Sequence, residues 1–161
     1  LFRSLCEKVR PTIPPSPIRC YNHKEIYGEV TQLDNGWLDI RLNALLPNCR
    51  MIGGTQYIFD TITRLLDGYR DKGGILQRYD KAYMAIVEHC PMERTGTFDN
   101  DNKGFRGVIN ALKGRMFKDD NQFELALGMF TVLDEDICCH IYVLPFDEAG
   151  DFHYQMSSKM L

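Results

Sequence analysis

The chain has 161 residues, of which 44% are hydrophobic and 25% charged, and its formal net charge is −3 at pH 7. These values are typical of one soluble domain with a hydrophobic core, and no run approaches the ~20 consecutive apolar residues of a membrane-spanning helix. The small negative charge disfavours a nucleic-acid coat protein, although an enzyme with a locally basic surface remains compatible with it.

Residues 1–24 are expected to form an N-terminal arm. The segment PTIPPSPIR contains four prolines in nine positions, which disfavours both a helix and a central strand. Residues 25–145 are expected to form the folded domain. Residues 146–161 are expected to form a C-terminal tail, whose apolar residues follow no clear period.

The first half of the domain predicts a hairpin followed by a helix and a strand. The segments EIYGEVTQL and WLDIRLNALL flank Asn35–Gly36, a pair typical of β-hairpin turns. Apolar residues recur at helical spacing between Ile58 and Leu66, and we expect this helix to end at Gly73–Gly74. The segment KAYMAIVEHCP is rich in β-branched and aromatic residues and predicts a strand.

The second half predicts another helix and two more strands. Between residues 102 and 113, Phe105, Val108, Ile109 and Leu112 fall on one helical face, and Gly114 is a natural stop. QFELALGMF and DICCHIYVLP read as strands. The order β-β-α-β-α-β-β therefore predicts a small α/β (α+β) domain, with a mixed sheet and two helices packed on one face.

Four aspartates lie at the two ends of the second helix. Asp99 and Asp101 precede it, and Asp119 and Asp120 follow it. If the flanking strands are neighbours and both ends return to one edge of the sheet, these carboxylates converge and suit Mg²⁺ or Mn²⁺. Such an ion polarises a phosphodiester and activates water. The alternative is that Asp101 caps the helix and that Asp119 and Asp120 are turn residues.

The stretch between residues 102 and 118 is locally basic. It contains no acidic residue, and its five cations are Lys103, Arg106, Lys113, Arg115 and Lys118. A positive helix beside an acidic metal site would attract phosphates, so these residues are candidate DNA contacts. The alternative is a solvated helix face.

Four pieces of this region together resemble the signature of RusA-type Holliday-junction resolvases. They are DNDN (99–102), Arg106, NAL (110–112) and DDNQ (119–122), and the family's element order can be laid over residues 36–145. Arg106 matches the family's basic residue, usually Lys, after a one-residue shift, and Lys103 competes for that role. Asn110 stands where an Asp is common.

The resemblance implies a homodimeric, Mg²⁺-dependent endonuclease that cuts branched DNA, from a phage or other mobile element of a bacterial host. Asp99, Asp101 and Asp120 fall on the family's catalytic carboxylates, and Asp119 falls on the adjacent acidic position. Arg106 would contact the scissile phosphate, although Arg does not readily release a proton.

A second hypothesis is a catalytically inactive binding protein with this fold. Such a protein would inhibit a host nuclease, in the manner of an anti-CRISPR protein. The acidic net charge, the proline-rich arm and the Lys-to-Arg change motivate it, because an acidic surface can imitate DNA phosphates.

The six cysteines include no CxxC pair, and the N-terminus lacks the apolar run of a signal peptide. Both features favour reduced thiols in a cytoplasm. Cys138 and Cys139 are adjacent in a predicted strand, so their side chains point to opposite faces. A zinc site at Cys20 and His23 is disfavoured, because no second ligand pair stands nearby. The other histidines are isolated in the sequence and are expected to be structural: His89, His140 and His153.

Overall fold

In the computed structural model, which describes residues 25–49, 53–91 and 100–160, the chain begins with the β-hairpin predicted at Asn35–Gly36. The turn closes with a hydrogen bond of 2.8 Å from the Leu33 N–H to the Trp37 carbonyl. Gly36 has a φ of 89°, a left-handed conformation that glycine adopts without a steric penalty. The turn therefore forms at the Asn-Gly pair, as predicted, because glycine adopts the left-handed conformation that the turn requires.

The described residues form a single small α+β domain with three helices and one five-stranded mixed sheet. The elements in chain order are β1 (Gly28–Gln32), β2 (Leu38–Leu42), α1 (Gly54–Asp71), β3 (Ala82–Cys90), α2 (Phe105–Leu112), β4 (Leu125–Leu133), β5 (Cys138–Pro145) and α3 (Ala149–Met160). The predicted order is confirmed up to β5, and α3 is an additional helix. Among the described helices, none is long and apolar enough to cross a membrane.

Helices α1 and α2 pack together on one face of the sheet, as predicted. Ile58, Ile62 and Leu66 of α1 are fully buried, and so are Val108 and Leu112 of α2. These side chains join the larger hydrophobic core with the inward residues of the strands. The helical spacing of apolar residues therefore identified the buried face of each helix.

The opposite face of the sheet is covered by α3, which belongs to the predicted tail. Phe152 is 2% exposed, and its ring centroid lies 5.8 Å from that of Trp37, 5.9 Å from that of Tyr83 and 5.8 Å from that of Phe130. The Trp37 indole N–H also donates a hydrogen bond of 2.5 Å to Glu148, in the turn before α3. A second, aromatic core is thus formed on this face.

The sheet order is β1-β2-β5-β3-β4, and β3 and β4 are its parallel pair. Ala82 lies opposite Leu125, and Cys90 lies opposite Leu133. The two strands that flank α2 in the chain are therefore neighbours in the sheet, which is the first condition for the aspartates to converge. Because they run parallel, however, the segment between them leaves one end of the sheet and returns at the other.

Candidate metal centres

Asp119 and Asp120 form a compact polar cluster after α2. Their carboxylates lie 2.5 and 2.7 Å from Nζ of Lys113, and all three side chains are exposed. Asp119 also accepts a hydrogen bond of 2.9 Å from the backbone N–H of Asp120. The hydrogen bond from Lys113, followed by that from the backbone, holds the pKa of Asp119 well below its usual range. Two carboxylates thus converge on one cationic centre.

The aspartate motif has two halves, the D-x-D half formed by Asp99 and Asp101 and the pair Asp119 and Asp120. The segment that contains Asp101 lies beside the loop that follows β2. Residues Asn100–Asn102 form a short 3₁₀ turn. The Asn102 carbonyl accepts a hydrogen bond of 2.6 Å from the Cys49 N–H, and the Gly104 N–H donates one of 2.8 Å to the Pro47 carbonyl. Asp99 lies outside the described residues, and the description of Asp101 is limited to its backbone.

The two halves of the aspartate pattern are separated by the length of α2. This helix has eight residues, which correspond to about 12 Å. Asp101 follows the C-terminal end of β3, whereas Glu124, shortly after Asp120, accepts a hydrogen bond of 2.9 Å from the N–H of Ala82 at the start of β3. Because β3 and β4 are parallel, Asp101 lies at the opposite end of the sheet from Asp119 and Asp120, and the expectation that both ends return to one edge within a single chain is wrong for these three residues.

Lys103 is engaged inside the protein. Its ammonium forms an ion pair with Glu88, whose side chain is 3% exposed, and the Leu46 N–H donates a hydrogen bond of 2.9 Å to the same carboxylate. The cation thus compensates a buried negative charge. This contact fixes the start of α2 to the end of β3.

The other four basic residues predicted to contact DNA differ in whether their side chains already have a carboxylate partner. Lys113 is held by the two aspartates, and Arg115 lies 3.3 Å from Asp67. Arg106 and Lys118 are exposed, and within the described part of the chain neither has a hydrogen-bond or ion-pair partner. These two side chains are therefore free to meet a phosphate from solution.

A separate cluster lies at one end of the α3 face of the sheet. His89 on β3 stands opposite Cys138 on β5, and His140 follows two residues later on the same side of β5. One ligand atom from each residue lies within 4.8 Å of those of the other two, and among the described residues this is the one group of three or more His, Cys, Asp or Glu side chains with ligand atoms this close. Cys138 is 5% exposed, and the side chains of His89 and His140 are 20% and 17% exposed.

Each histidine of this cluster has a carboxylate partner. Nδ1 of His140 lies 3.0 Å from both oxygens of Asp39, and Nδ1 of His89 lies 3.1 Å from Asp134. Burial by itself lowers the pKa of His140, but the hydrogen bonds to Asp39 and Cys138 outweigh it and raise the pKa to about 9. The backbone N–H of Asp136, and after it His89, lowers the pKa of Asp134.

His89 and His140, which are isolated in the sequence, are neighbours in space, since the pairing of β3 with β5 places their ring centroids 5.5 Å apart. The spacing Cys138-x-His140 in a predicted strand was a signal that these two side chains share a face. His89 carried no comparable signal, because its place beside Cys138 depends on the strand order.

No family model, curated protein or solved structure matches the chain. The chemistry of the two clusters is therefore the basis for assigning a function. Carboxylates suit hard divalent cations such as Mg²⁺, whereas imidazole and thiolate suit transition metals.

Proposed function

We propose that the protein is a Mg²⁺- or Mn²⁺-dependent endonuclease of the RusA type that cuts branched DNA. The observation that carries this proposal is the convergence of Asp119 and Asp120 on one cationic centre, within 2.7 Å of the Lys113 ammonium. A divalent cation would take the place of this ammonium between the two carboxylates. Two carboxylates on one centre are ligands of the type that such an ion takes, and the ion when bound would polarise a phosphodiester and activate water.

The active form would be a dimer in which two chains share each site. Asp101 lies after the C-terminal end of β3, and Asp120 lies before the start of β4, at the opposite end of the sheet. A Mg²⁺ ion needs its oxygen ligands at about 2.1 Å. One chain would therefore not bring Asp101 and Asp120 to one ion. A two-fold axis would place the Asp99–Asp101 half of one chain against the Asp119–Asp120 half of the other. The two resulting sites would match the two symmetric cuts needed at a four-way junction.

The exposed cations give the DNA a path to such a site. Arg106 lies on α2 and Lys118 lies in the turn that leads to Asp119 and Asp120, and both are exposed. Arg106 would contact the scissile phosphate and Lys118 a neighbouring one. Lys103, which pairs with Glu88, would act by positioning α2.

The test is cleavage of a labelled four-way junction with Mg²⁺ or Mn²⁺ by the native chain, by Asp101→Asn and by Asp120→Asn. We expect paired symmetric nicks with the native chain and a loss of at least 100-fold with either variant. Asp151→Asn is the matched control, because Asp151 is an exposed aspartate on α3, away from α2. Equal activity of all four proteins would refute the assignment of the carboxylates.

A mixture of the two variants tests whether the sites are shared. If each site combines residues from both chains, a heterodimer of Asp101→Asn and Asp120→Asn has one intact site and one doubly altered site. Co-expression of the two variants should then restore single nicks without paired cuts. If each site lies within one chain, both sites of the heterodimer are altered and no activity returns.

The inhibitor hypothesis has its own outcome in the same experiment. The net charge of −3 and the occupation of both carboxylates by Lys113 are the observations that favour it. A native chain that cuts no junction with either metal, and that captures a nuclease equally well as Asp101→Asn, would support this second function. Metal-dependent cutting by the native chain would exclude it as the main activity.

A further inference from the structure

We propose that His89, Cys138 and His140 bind a transition-metal ion, with Zn²⁺ as the first choice. Their ligand atoms lie within 4.8 Å of one another, and tetrahedral zinc with bonds of about 2.0–2.3 Å holds its ligands about 3.5 Å apart. Binding therefore needs an inward movement of about 1 Å. The imidazoles are partly exposed, so small side-chain rotations would supply it.

The carboxylates that contact the two histidines also support a metal site. Asp39 holds Nδ1 of His140, and Asp134 holds Nδ1 of His89. With each Nδ1–H donated to a carboxylate, Nε2 is the nitrogen left for a metal, and at His140, whose pKa is raised to about 9, the metal would bind by displacing the Nε2 proton. A carboxylate behind each ligating histidine is what orients the imidazole and raises its basicity at protein metal sites. Two such pairs, from four different segments of the chain, meet at one thiol.

The ligand set selects the metal. A thiolate with two imidazoles favours Zn²⁺ and disfavours Mg²⁺, which prefers oxygen ligands. This site is therefore chemically distinct from the pair Asp119 and Asp120. Three protein ligands leave the fourth position of a tetrahedral zinc ion for water or another ligand, and the exposed fractions of His89 and His140 leave a route from solvent.

A metal ion here would tie together the strands at one end of the sheet. Through His89 it would join the last residues of β3 to the first residues of β5. The contact of Asp39 with His140 would connect β2 to the same site. This is the end of β3 from which the chain continues towards Asp99 and Asp101. The proposed role is thus to fix the strand end that carries the D-x-D half of the motif.

The test begins with protein freed of metal by a chelator and titrated with Co²⁺ and Zn²⁺. One equivalent of Co²⁺ should give the visible bands of a tetrahedral site together with a thiolate-to-cobalt charge-transfer band. Zn²⁺ should displace the cobalt and raise the melting temperature, and a large excess of Mg²⁺ should displace nothing. No stoichiometric binding of either transition metal would overturn the proposal.

Substitutions then separate ligation from folding. Cys138→Ala should abolish the charge-transfer band, and His140→Asn should weaken zinc binding at least 100-fold. Asp39→Asn should weaken it about 10- to 100-fold, the usual effect of removing such a partner. The matched controls are Cys139→Ala, the adjacent cysteine on the opposite face, and His153→Asn on α3; both should bind zinc like the native chain.

The same variants also define the result that would contradict the proposed zinc site. If Cys138→Ala does not fold, His140→Asn, with a partly exposed side chain, carries the test alone. Zinc binding that is unchanged in His140→Asn and in a folded Cys138→Ala would place the metal elsewhere and overturn the assignment. Loss of zinc with junction cutting by the same protein intact would separate this site from the proposed nuclease activity.

Discussion

Lys113 occupies the centre of the carboxylate pair, and its removal should be visible in the titration of Asp119. We predict that Lys113→Met raises the pKa of Asp119 towards its ordinary value, because the hydrogen bond from Lys113 is the largest cause of the lowered pKa. The two adjacent carboxylates would also repel each other without this cation. Carboxyl-carbon NMR over an acid titration measures the change.

The sign of the accompanying stability change follows from the direction of that pKa. A lowered pKa means that the ionised Asp119 favours the folded state above its ordinary pKa of about 3.9, and that this contribution is lost as the pH falls through the lowered value. Lys113→Met should therefore be less stable than the native chain at neutral pH, and the difference should shrink in acid. A difference that grows in acid would contradict this account of the pair.

Lys103 should behave as a buried structural residue. We predict that Lys103→Met destabilises the fold by about 3–5 kcal/mol, because it leaves the Glu88 carboxylate buried without its cation. Urea denaturation measures the loss. Lys118→Met, an exposed lysine without a described partner, is the matched control and should change stability by less than about 0.5 kcal/mol. Equal stabilities of the two variants would show that the Glu88 pair is not formed.

At the scale of elements, the contact between α1 and α2 depends on Gly107. A Cβ atom built there would meet the carbonyl oxygen of Thr55 and lie 3.1 Å from the backbone nitrogen of Phe59. Gly107→Ala should therefore force the helices apart and cost about 1–3 kcal/mol. Gly68→Ala in α1, which meets nothing within 4 Å, should instead stabilise by about 0.5–1 kcal/mol. Chemical denaturation of the two variants compares them directly, and a Gly107→Ala protein at least as stable as Gly68→Ala would rule out close packing of α1 and α2 at this point.

Elements with a local signal were predictable, and those defined by distant partners were not. Asn35–Gly36 sets its own turn, and the apolar face of α2 follows from its spacing. Helix α3 escaped prediction because its buried positions are few: Phe152 and Met156 are the buried residues in its described part. The parallel direction of β4 escaped it as well, since period and composition do not reveal which strand lies beside which.

The same limit decided the outcome for the candidate sites. The adjacent pair Asp119 and Asp120 is local in sequence, and its common cation, Lys113, is only a few residues away. The cluster of His89 with Cys138 and His140 needs two strands that are far apart in the chain, so the sequence alone left those histidines isolated. The separation of Asp101 from Asp120 likewise follows from the parallel pair.

For the whole molecule, the shared site predicts that activity depends on assembly. If each site needs two chains, the rate of junction cutting per chain should fall as the protein is diluted below the dissociation constant of its dimer. Cleavage assays over a thousandfold range of concentration, beside sedimentation measurements of mass, test this expectation. A constant rate per chain in a solution shown to contain monomers would leave each chain with a complete site of its own.

The position of β5 in the sheet has a consequence for how the chain folds during synthesis. This strand lies between β2 and β3 and hydrogen-bonds to both. A nascent chain that has been made as far as β4 therefore holds only a hairpin and a parallel pair, with a gap between them where a strand is missing. Neither piece can complete its core on the ribosome until residues 138–145 arrive to close the gap. We therefore expect the sheet to be completed late in synthesis, and a chain that stops before those residues would expose unpaired strand edges.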